Sequence, residues 1–367
     1  MDAIVIGAGP GGLATSRELK RRGIEHVVLE RGDGPAHTWA NLYDSLVLHT
    51  GKHMSALPGL RFPDSTALFP PRAEFVEYLR RYATTFELPI RTNAEVVKVE
   101  RAADGWLIRT RSGDEVRARA VVVATGIASN PVIPEIHNRP RFRGRVRHSI
   151  EYRNPEDAKG QRILVVGAGN SSGEIASELS RAGARVTLAV RNGAHIVPRE
   201  VFGVPIQYIS VPLGYLPRRL QRGIATVLGS AIATVKGKSV LPPPGPGGCP
   251  RVPIIGFHLA DEIRRGAIAV KGDIGAFTAD GMTFADGTSD EFDEVIFATG
   301  FRAALGMFGG AIRLDPCGFG HRRKRVVSLD QPDLYFVGHN PDVRGGIFMI
   351  GRDARLAAKM IQRSGVA

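Results

Sequence analysis

Two stretches of the chain share one order of apolar and polar positions. Residues 3–30 begin with the apolar run Ala3–Ile6, pass through the turn GAGPGG and an amphipathic stretch, and end in the apolar run His26–Leu29. Residues 161–192 repeat this order, with the turn GAGNSS beginning at Gly167. Short apolar runs favour buried strands, and the longer amphipathic stretches favour helices. Each stretch therefore predicts a strand, a glycine turn, a helix and a second strand.

Three later segments fit the same two sheets. ARAVVVATG (118–126) and FDEVIFATGF (292–301) predict buried strands, each followed by Ala-Thr-Gly, whose small residues let the chain pass close to a ligand. Residues 332–362 predict a strand, a glycine-rich loop and an amphipathic helix. We therefore predict an α/β fold built from two similar units.

Composition and charge narrow the class of protein. The 367 residues are 43% hydrophobic and 23% charged, which fits ordered domains with buried cores. The 49 Lys and Arg against 36 Asp and Glu give a net charge of +13, which suits anionic partners: phosphorylated cofactors, acidic substrates, anionic lipid or nucleic acid. Aromatic residues make up only 7%, so stacking on single-stranded nucleic acid is not expected.

Location is predicted from three weaker signals. The sequence MDAIVIGAG has no signal-peptide pattern, and the separated Cys249 and Cys317 argue against a disulfide framework or a metal cluster, so we predict the cytoplasm and no metal site. The apolar run 223–235 is shorter than the roughly 20 residues that cross a bilayer. It predicts a helix packed within the second domain, with peripheral contact to an anionic membrane as the alternative.

The first turn predicts a dinucleotide site. Gly7 allows the tight turn, Gly9 lets the backbone approach a pyrophosphate, and Gly12 lets the helix pack closely, while the helix N-terminus offers free N–H groups. Glu30 follows the second strand, where a carboxylate accepts hydrogen bonds from an adenosine ribose. The alternative is a glycine-rich connection without a ligand.

The second turn differs at two positions. Ser172 stands at the third glycine position, and the strand is followed by Arg191 in the place of an acid. A carboxylate there would repel a 2′-phosphate, whereas a guanidinium binds it, so the second turn predicts NADPH. The alternative is that Arg191 is a solvated charge at a strand end. Together the turns predict FAD in a domain of residues 1–153 and 290–367, with an NADPH domain, 154–289, inserted in it.

A further motif precedes the second turn. Phe142, Gly144, His148 and Tyr152 match the FxGxxxHxxx(W/F/Y) fingerprint of class B flavin-dependent monooxygenases. No neighbouring cysteine pair exists, which excludes a disulfide reductase with a redox-active pair of that kind. The segments 37–59, 69–90, 121–136, 167–179, 284–301 and 332–340 resemble, in order, those of flavin-containing monooxygenases, most closely the YUCCA-like branch.

The resemblance implies roles for individual residues. His49 lies where many relatives place an asparagine near flavin C4a, with a packed loop histidine as the alternative; Asn170 is the second predicted catalytic residue. His148 is expected to position the NADP loop rather than to transfer protons. The C-terminal helix is expected to aim its positive end at the flavin pyrimidine edge. The cofactor-binding residues, from the turns and the resemblance together, are Gly7, Gly9, Pro10, Gly11, Gly12, Glu30, Arg31, Thr38, Trp39, Val97, Thr125, Gly126, Gly167, Gly169, Asn170, Ser171, Ser172, Arg191, Thr299, Gly300, Phe301, Gly338 and Arg344.

The resemblance also implies a reaction with NADPH, O₂ and a small organic substrate. Flavin reduced by NADPH would form a C4a-hydroperoxyflavin, which oxygenates nitrogen or sulfur, performs a Baeyer–Villiger reaction, or decarboxylates an α-keto acid oxidatively. The YUCCA-like segments favour the α-keto acid. The chain departs from the family at LHTGK (48–52), at Ser172 and over 200–250, a region expected to shape the substrate pocket.

Two other functions stay open from the sequence. One is an NADPH oxidase or flavin reductase that releases H₂O₂ without oxygenating a substrate. The other is a non-catalytic basic protein that binds membrane or nucleic acid. A homodimer is a further expectation.

Overall fold

The computed structural model describes residues 1–201, 203–213, 216–217, 219–220, 223–224, 239–245, 249, 253–340 and 345–365. The chain divides into two compact units. Unit 1 comprises Met1–Asn130 and Phe301–Ala367, and unit 2 comprises Pro131–Gly300.

Helices and strands alternate along both units. The helices are α1 (Pro10–Lys20), α2 (His37–Ala40), α3 (Lys52–Ser55), α4 (Arg72–Thr85), α5 (Asn170–Arg181), α6 (Ile206–Leu213), α7 (His258–Arg264) and α8 (Gly346–Gly365). The strands of unit 1 are β1 (Ala3–Ile6), β2 (His26–Leu29), β3 (Ile90–Arg91), β4 (Val96–Ala102), β5 (Gly105–Thr110), β6 (Glu115–Ala118), β7 (Ala120–Val123), β20 (Arg322–Arg323), β21 (Val327–Ser328) and β22 (Leu334–Phe336). Those of unit 2 are β8 (Arg145–His148), β9 (Arg162–Val166), β10 (Arg185–Ala189), β11 (Ile196–Val197), β12 (Glu200–Val201), β13 (Val204–Pro205), β14 (Ile254–Ile255), β15 (Ile268–Lys271), β16 (Ile274–Phe277), β17 (Gly281–Phe284), β18 (Ser289–Glu291) and β19 (Glu294–Phe297).

Unit 1 is built on a seven-stranded sheet with the order β20-β21-β22-β7-β1-β2-β3. The strands from β22 to β3 are parallel, and β20 and β21 add an antiparallel edge. β1 and β7 are buried along their whole length, as expected for central parallel strands covered on both faces. The helices α1, α4 and α8 contribute to the core on one face, and residues of β4, β5 and segment 303–312 to the core on the other.

Unit 2 has a five-stranded parallel sheet with the order β15-β10-β9-β19-β8. Its plan repeats that of unit 1. In each unit, two parallel strands joined by a helix are followed by an outer strand of the same sheet. The chain then forms a three-stranded antiparallel sheet, β4-β5-β6 in unit 1 and β16-β17-β18 in unit 2. It returns to the parallel sheet as the strand that precedes Ala-Thr-Gly. The predicted α/β class with two Rossmann-like units is therefore confirmed.

The units divide at different residues from the predicted domain boundaries. The sequence predicts segments 131–153 and 290–300 as parts of the FAD domain, but both lie in unit 2. The reason is strand pairing: β8 pairs in parallel with β19, and β19 pairs with β9. Both strands therefore belong to the second sheet.

Two other expectations concern cysteines and membranes. Among the residues that the structure describes, neither Cys249 nor Cys317 is a free thiol. The interpretation of their separation as evidence against disulfide bonding is therefore wrong, because spacing along the sequence does not determine the oxidation state of a thiol. No helix in the described part of the chain is long and apolar enough to cross a membrane. The helix predicted at 223–235 lies almost entirely outside the described residues.

Candidate functional site

The predicted residues of unit 1 gather at one edge of its sheet. The turn Gly7–Gly12 follows β1, Glu30 follows β2, Thr125 and Gly126 follow β7, and Gly338 follows β22. These four strands are neighbours in the order β22-β7-β1-β2 and run in the same direction. Their carboxyl ends therefore form one continuous edge, which is where open α/β sheets bind ligands.

The first turn has the close contacts that its glycines predict. Gly7 has φ +100°, and a Cβ there would lie 2.7 Å from Ala124 O. A Cβ at Gly12 would lie 1.7 Å from Gly7 O, so α1 packs on the turn with no room for a side chain. A Cβ at Gly9 would meet nothing within 4 Å. Space for a ligand is therefore open at Gly9 and closed at Gly7 and Gly12.

The N-terminus of α1 suits an anion. Gly9 is the N-cap residue, no side chain caps it, Pro10 follows it, and the first turn carries no acidic residue. Uncapped N–H groups and the helix dipole both favour negative charge at this place. Together with the open space at Gly9, this fits the pyrophosphate of FAD.

Glu30 is held rigidly beside the turn. Its side chain is buried, with Oε2 accepting from Ala8 N at 2.6 Å and Oε1 accepting from Gly32 N at 2.9 Å. A carboxylate has about four acceptor positions, so both oxygens can still accept ribose hydroxyls. The two backbone bonds keep the carboxylate at the end of β2, where the ribose is expected.

Thr125 carries an unsatisfied polar atom at the same edge. Its Oγ1 is buried without a hydrogen-bond partner in the part of the chain that the structure describes, and Gly126 after it has φ +70° with open space around it. Buried hydroxyls without partners are rare in folded proteins. Hence Thr125 Oγ1 fits a site where a bound cofactor supplies the missing partner.

The other predicted residues of unit 1 are more dispersed. Arg31 reaches Thr38 Oγ1 at 3.5 Å, and Trp39 packs edge-on against Phe75 with ring centroids 4.7 Å apart. Val97 is 40% exposed on β4, and shortly before it Ala94 N donates to Glu30 O at 2.8 Å. The roles of these residues, of half-buried His49 and of Gly338 stay predictions; Arg344 lies outside the described residues.

The carboxyl ends of the parallel strands in unit 2 form a similar sheet edge, with an arginine where unit 1 has Glu30. The turn beginning at Gly167 follows β9, Arg191 comes just after β10, and Thr299 and Gly300 come just after β19. Gly167 has φ +133°, and a Cβ there would lie 2.3 Å from Ala298 O, the counterpart of the Gly7 and Ala124 contact. A Cβ at Gly169 would meet nothing within 4 Å, as at Gly9.

Ser172 replaces the third glycine and forms its own contact. Its side chain is fully buried, and Oγ accepts from Gly169 N at 2.8 Å and donates to Gly169 O at 2.7 Å. Asn170 Oδ1 accepts from Ile255 N at 2.7 Å and so links α5 to β14. Ser171, which lies between Asn170 and Ser172 in the sequence, is half-buried. The serine therefore stabilises the turn, and the carbonyl end of Asn170 has a structural partner.

Arg191 is exposed at the strand end. Within the described ranges, no carboxylate forms an ion pair with its guanidinium, whereas many other arginines of this chain are paired. An unpaired guanidinium at this position fits a 2′-phosphate. Unlike Thr125 Oγ1 in unit 1, Thr299 Oγ1 has a hydrogen-bond partner, because it donates to Val132 O. Phe301, two residues later, begins the second segment of unit 1.

A segment that the sequence did not connect with this site lies against it. A Cβ at Gly193 (φ +66°) would lie 2.1 Å from Pro242 O, Ala194 N donates to Pro242 O at 3.0 Å, and Gly245 N donates to Asn192 O at 3.2 Å. The proline-rich segment 241–245 thus packs on the loop that follows Arg191. No local pattern reveals this contact, because it joins residues about 50 positions apart.

The fingerprint residues all belong to unit 2. Phe142 packs against Phe277 with ring centroids 5.2 Å apart, and a Cβ at Gly144 would lie 2.4 Å from the Phe142 ring and 2.6 Å from Asp293 O. Phe142 and Gly144 are therefore closely packed. They fix the start of β8 beside β19.

His148 ends β8 as a buried, hydrogen-bonded side chain. Its Nδ1 accepts from Ile150 N at 3.2 Å, which leaves Nε2 as the protonated nitrogen that donates to Gly300 O at 3.1 Å. Burial lowers the pKa of His148, in agreement with a neutral ring. The ring therefore connects the fingerprint to the second Ala-Thr-Gly, which supports a positioning role.

Tyr152 and the fingerprint arginines complete this framework. Tyr152 is fully buried and donates to Glu178 Oε2 of α5 at 2.9 Å, and the guanidinium of Arg147 lies 5.1 Å from its ring centroid. Arg147 also pairs with buried Glu294 at 2.5 Å. The basic character of this segment is thus partly neutralised within unit 2.

The fold and the two edges define a flavoprotein oxidoreductase with two dinucleotide sites. The family model described as pyridine nucleotide-disulphide oxidoreductase matches residues 4–200. The chain is 35% identical to indole-3-pyruvate monooxygenase YUCCA1 of Oryza sativa subsp. japonica, over 82% of this chain and 77% of that protein. It is 31% identical to YUCCA4 of the same organism, over 98% and 87%. A flavin-containing monooxygenase from Stenotrophomonas maltophilia has 26% identity and a TM-score of 0.79, over 99% of this chain and 98% of that chain.

The chain therefore belongs to the class B flavin-dependent monooxygenases, in the YUCCA-like branch. It is an enzyme that depends on FAD and NADPH and acts with O₂ on a small molecule. The class and the cofactors predicted from the sequence are confirmed.

Proposed function

We propose that this enzyme catalyses the oxidative decarboxylation of a small α-keto acid. The observation that carries the proposal is the pair of unlike sheet edges, Glu30 after β2 and Arg191 after β10, in a chain whose relatives are named indole-3-pyruvate monooxygenases. The balanced reaction consumes the keto acid, O₂, NADPH and a proton. It yields the carboxylic acid shorter by one carbon, CO₂, NADP⁺ and water.

The residues of unit 1 would hold FAD, which supplies hydride acceptance and O₂ activation when bound. The N-terminus of α1 would bind the pyrophosphate, since it is uncapped and open at Gly9. Glu30 would orient the ribose through acceptor positions that its two backbone bonds leave free. Thr125 Oγ1 would gain the partner that it lacks among the described residues.

The residues of unit 2 would hold NADPH. Gly169 leaves open space at the N-terminus of α5, and Arg191 would bind the 2′-phosphate by charge-assisted hydrogen bonds. His148 would keep Gly300 in place through the bond from Nε2. His49 and Asn170 stay the proposed catalytic residues, and for Asn170 the amide NH₂ is the end that has no hydrogen-bond partner within the described part of the chain.

Stoichiometry tests the proposal. Purified enzyme is supplied with NADPH, O₂ and a panel of α-keto acids, amines, sulfides and ketones, while NADPH, O₂, CO₂ and H₂O₂ are measured and products are identified by mass spectrometry. We expect one CO₂ and one shortened acid for each NADPH with an α-keto acid. Oxygenated amines, sulfides or esters instead would contradict the substrate class.

The same assay distinguishes a monooxygenase from an NADPH oxidase. If H₂O₂ release equals NADPH consumption whatever compound is added, the enzyme is an NADPH oxidase and the proposal is wrong. A cytoplasmic location and a homodimer remain predictions beside it.

A further inference from the structure

An open cavity lies in unit 1, on the hairpin formed by β20 and β21. Its volume is about 380 Å³, and it is lined by Asp315, Gly320, His321, Arg322, Arg325, Leu329 and Asn340. The segment His321–Arg325, which we call the basic hairpin, has the sequence HRRKR. Neither the glycine turns nor the fingerprint contributes a residue to it.

Arg322 lines this cavity and has no carboxylate within hydrogen-bond distance among the described residues. Its Nη1 donates to Gly320 O at 2.9 Å, Nη2 to His339 O at 2.7 Å and Nε to Asn340 Oδ1 at 3.0 Å. All three acceptors are neutral. Since a guanidinium has five N–H groups, two remain after these bonds. The cation is fixed in position while its charge is left uncompensated by direct contact.

Arg325 is only partly satisfied. Its Nε donates to Asp353 Oδ1 at 2.9 Å, but its Nη2 is buried and has no hydrogen-bond partner among the described residues. Asp353 Oδ2 also accepts from Asn340 Nδ2 at 2.8 Å. Asp315, which lines the cavity, uses Oδ1 to accept from the backbone N–H groups of Cys317 and Phe319. Arg325 therefore keeps one guanidinium nitrogen without a partner in the described part of the chain.

The tip of the hairpin is held in a strained conformation. Lys324 has φ +48° and Arg325 has φ +72°, both in the left-handed region that residues with side chains rarely adopt. Asn340 Nδ2 donates to Arg325 O at 3.0 Å, and the Asp353 bond holds the side chain. Backbone strain that is stabilised by surrounding bonds is typical of functional sites.

Topology separates this cavity from the first glycine turn. Phe336 N donates to Val326 O, so the hairpin tip lies beside the carboxyl end of β22. In the sheet order, β22 and β7 lie between the hairpin and β1. The cavity is therefore at the same edge of the sheet as the turn but at its far end.

We propose that this cavity is a binding site for a small organic acid, whose carboxylate pairs with Arg322 and Arg325. Guanidinium groups match a planar carboxylate with paired hydrogen bonds, and Arg322 keeps two N–H groups for such a ligand. Arg325 adds a second positive charge to the lining, and Leu329 gives it an apolar part that suits the organic portion of the acid. The site holds whether or not the enzyme decarboxylates α-keto acids, since no residue of the cofactor turns takes part.

Calorimetry of the FAD-loaded enzyme tests this site with phenylacetate as the probe. Phenylacetamide, which has the same shape without the charge, is the matched ligand control. Arg325→Lys and Arg322→Lys keep a cation but lose the planar fork. Arg323→Lys is the matched protein control, because Arg323 is exposed on the same hairpin and does not line the cavity.

We expect phenylacetate to bind the wild type and phenylacetamide not to bind. Each lysine substitution at 322 or 325 should weaken phenylacetate about tenfold or more, as for the loss of a charge-assisted bidentate contact, and Arg323→Lys should leave the affinity unchanged. No binding to wild type, or equal binding by all three variants, overturns the proposal.

A further measurement decides what occupies the cavity. Inorganic phosphate that binds as tightly as phenylacetate, with the same sensitivity to Arg325→Lys, would mean a site for inorganic oxyanions and would overturn the organic acid.

Discussion

Glu30 and Arg191 stand at equivalent strand ends in the two units but differ in charge and burial. Glu30 is buried and bonded to two backbone N–H groups, whereas Arg191 is exposed and unpaired among the described residues. A fixed acceptor suits a ribose hydroxyl, and an exposed cation suits a phosphate. At the scale of single residues, this contrast supports the proposed binding of FAD by unit 1 and of NADPH by unit 2.

Arg191→Ala tests the phosphate assignment. Losing a charge-assisted bidentate contact costs about 1.5–3 kcal/mol, so the KM for NADPH should rise roughly tenfold or more, while the KM for NADH should hardly change. Steady-state kinetics with both nucleotides measure this difference. Equal effects on the KM for NADPH and for NADH would show that Arg191 does not bind the 2′-phosphate.

His339 predicts a dependence of stability on pH. Burial, assisted by the charge of Arg322, lowers the pKa of His339 to about 3, and neither ring nitrogen has a hydrogen-bond partner among the described residues. The unfolded chain has a histidine pKa near 6.5, so below that pH it binds a proton that the folded protein excludes. Stability is therefore full above about pH 6.5 and falls as the pH drops from 6.5 toward 3, by about 2 kcal/mol at pH 5.

His339→Phe should reduce this slope in urea titrations between pH 5 and 7.5, because phenylalanine suits a site beside the rings of Phe319 and Phe336. Part of the slope should persist, since burial also lowers the pKa of His26 and His148. His53→Gln, at an exposed position, is the control and should leave the slope unchanged. An unaltered slope in His339→Phe would show that this ring does not exclude the proton.

At the scale of elements, α1 and α5 begin in similar ways but close their turns differently. α1 approaches the turn at Gly12, whereas α5 carries Ser172, whose Oγ bonds to Gly169 N and O. The first turn depends on the absence of a side chain, and the second on a specific hydroxyl. Both leave the second glycine of the turn open to a ligand.

Gly9→Ala and Gly12→Ala should therefore have different effects. At Gly12 the added Cβ collides with Gly7 O, so the melting temperature of the FAD-free protein should fall by several degrees. At Gly9 the Cβ meets nothing, so the FAD-free protein should keep its melting temperature while its affinity for FAD falls. Melting curves and FAD titration by fluorescence distinguish the two; a Gly9→Ala protein with normal FAD affinity would contradict the pyrophosphate site.

The segment 241–245 gives a second prediction for an element. Gly193→Ala places a Cβ against Pro242 O and should displace the segment from the loop after Arg191. We expect the KM for NADPH to rise severalfold, with a smaller change for NADH. Gly203→Ala is the matched control: Gly203 also has a positive φ, +74°, but a Cβ there meets nothing within 4 Å. Equal effects of both substitutions would mean that the segment does not support the NADPH site.

At the scale of the whole molecule, the two units share one sheet topology, but one strand of each sheet comes from a different part of the chain. In unit 1 the strand beside β7 is β22, which comes from the C-terminal part of the chain. In unit 2 the equivalent place beside β19 is taken by β8, which precedes the βαβ pair in sequence. The fingerprint thus includes β8, the edge strand of the unit 2 sheet, and its His148 donates to Gly300 O.

This connection predicts how the reduced enzyme behaves. If the fingerprint serves to retain NADP⁺, enzyme reduced by NADPH and mixed rapidly with O₂ should pass through a persistent, spectroscopically distinct flavin species. Enzyme reduced by dithionite without NADP⁺ should reoxidise directly. His148→Ala should shorten the life of that species and raise H₂O₂ release at normal FAD content, whereas His137→Ala, at an exposed position of the same unit, should not. Direct reoxidation in every case would favour the oxidase.

The sequence by itself determined the two βαβ units, their cofactors and the class of enzyme. These depend on local patterns: glycines that must stand at fixed offsets in a turn, an acid or an arginine at the strand end, and a spaced fingerprint. The glycine contacts show why the spacing is so informative, since a side chain at Gly7, Gly12 or Gly167 would collide with backbone.

Only the tertiary structure decided which sheet β8 joins, where the units divide, that 241–245 packs on the loop after Arg191, and that Arg322 and Arg325 share a cavity with Asn340. Each of these joins residues distant in sequence through strand pairing or side-chain bonds. Local periodicity carries no information about such partners, because the same apolar strand can pair with several others and the free energy of the whole sheet selects among them.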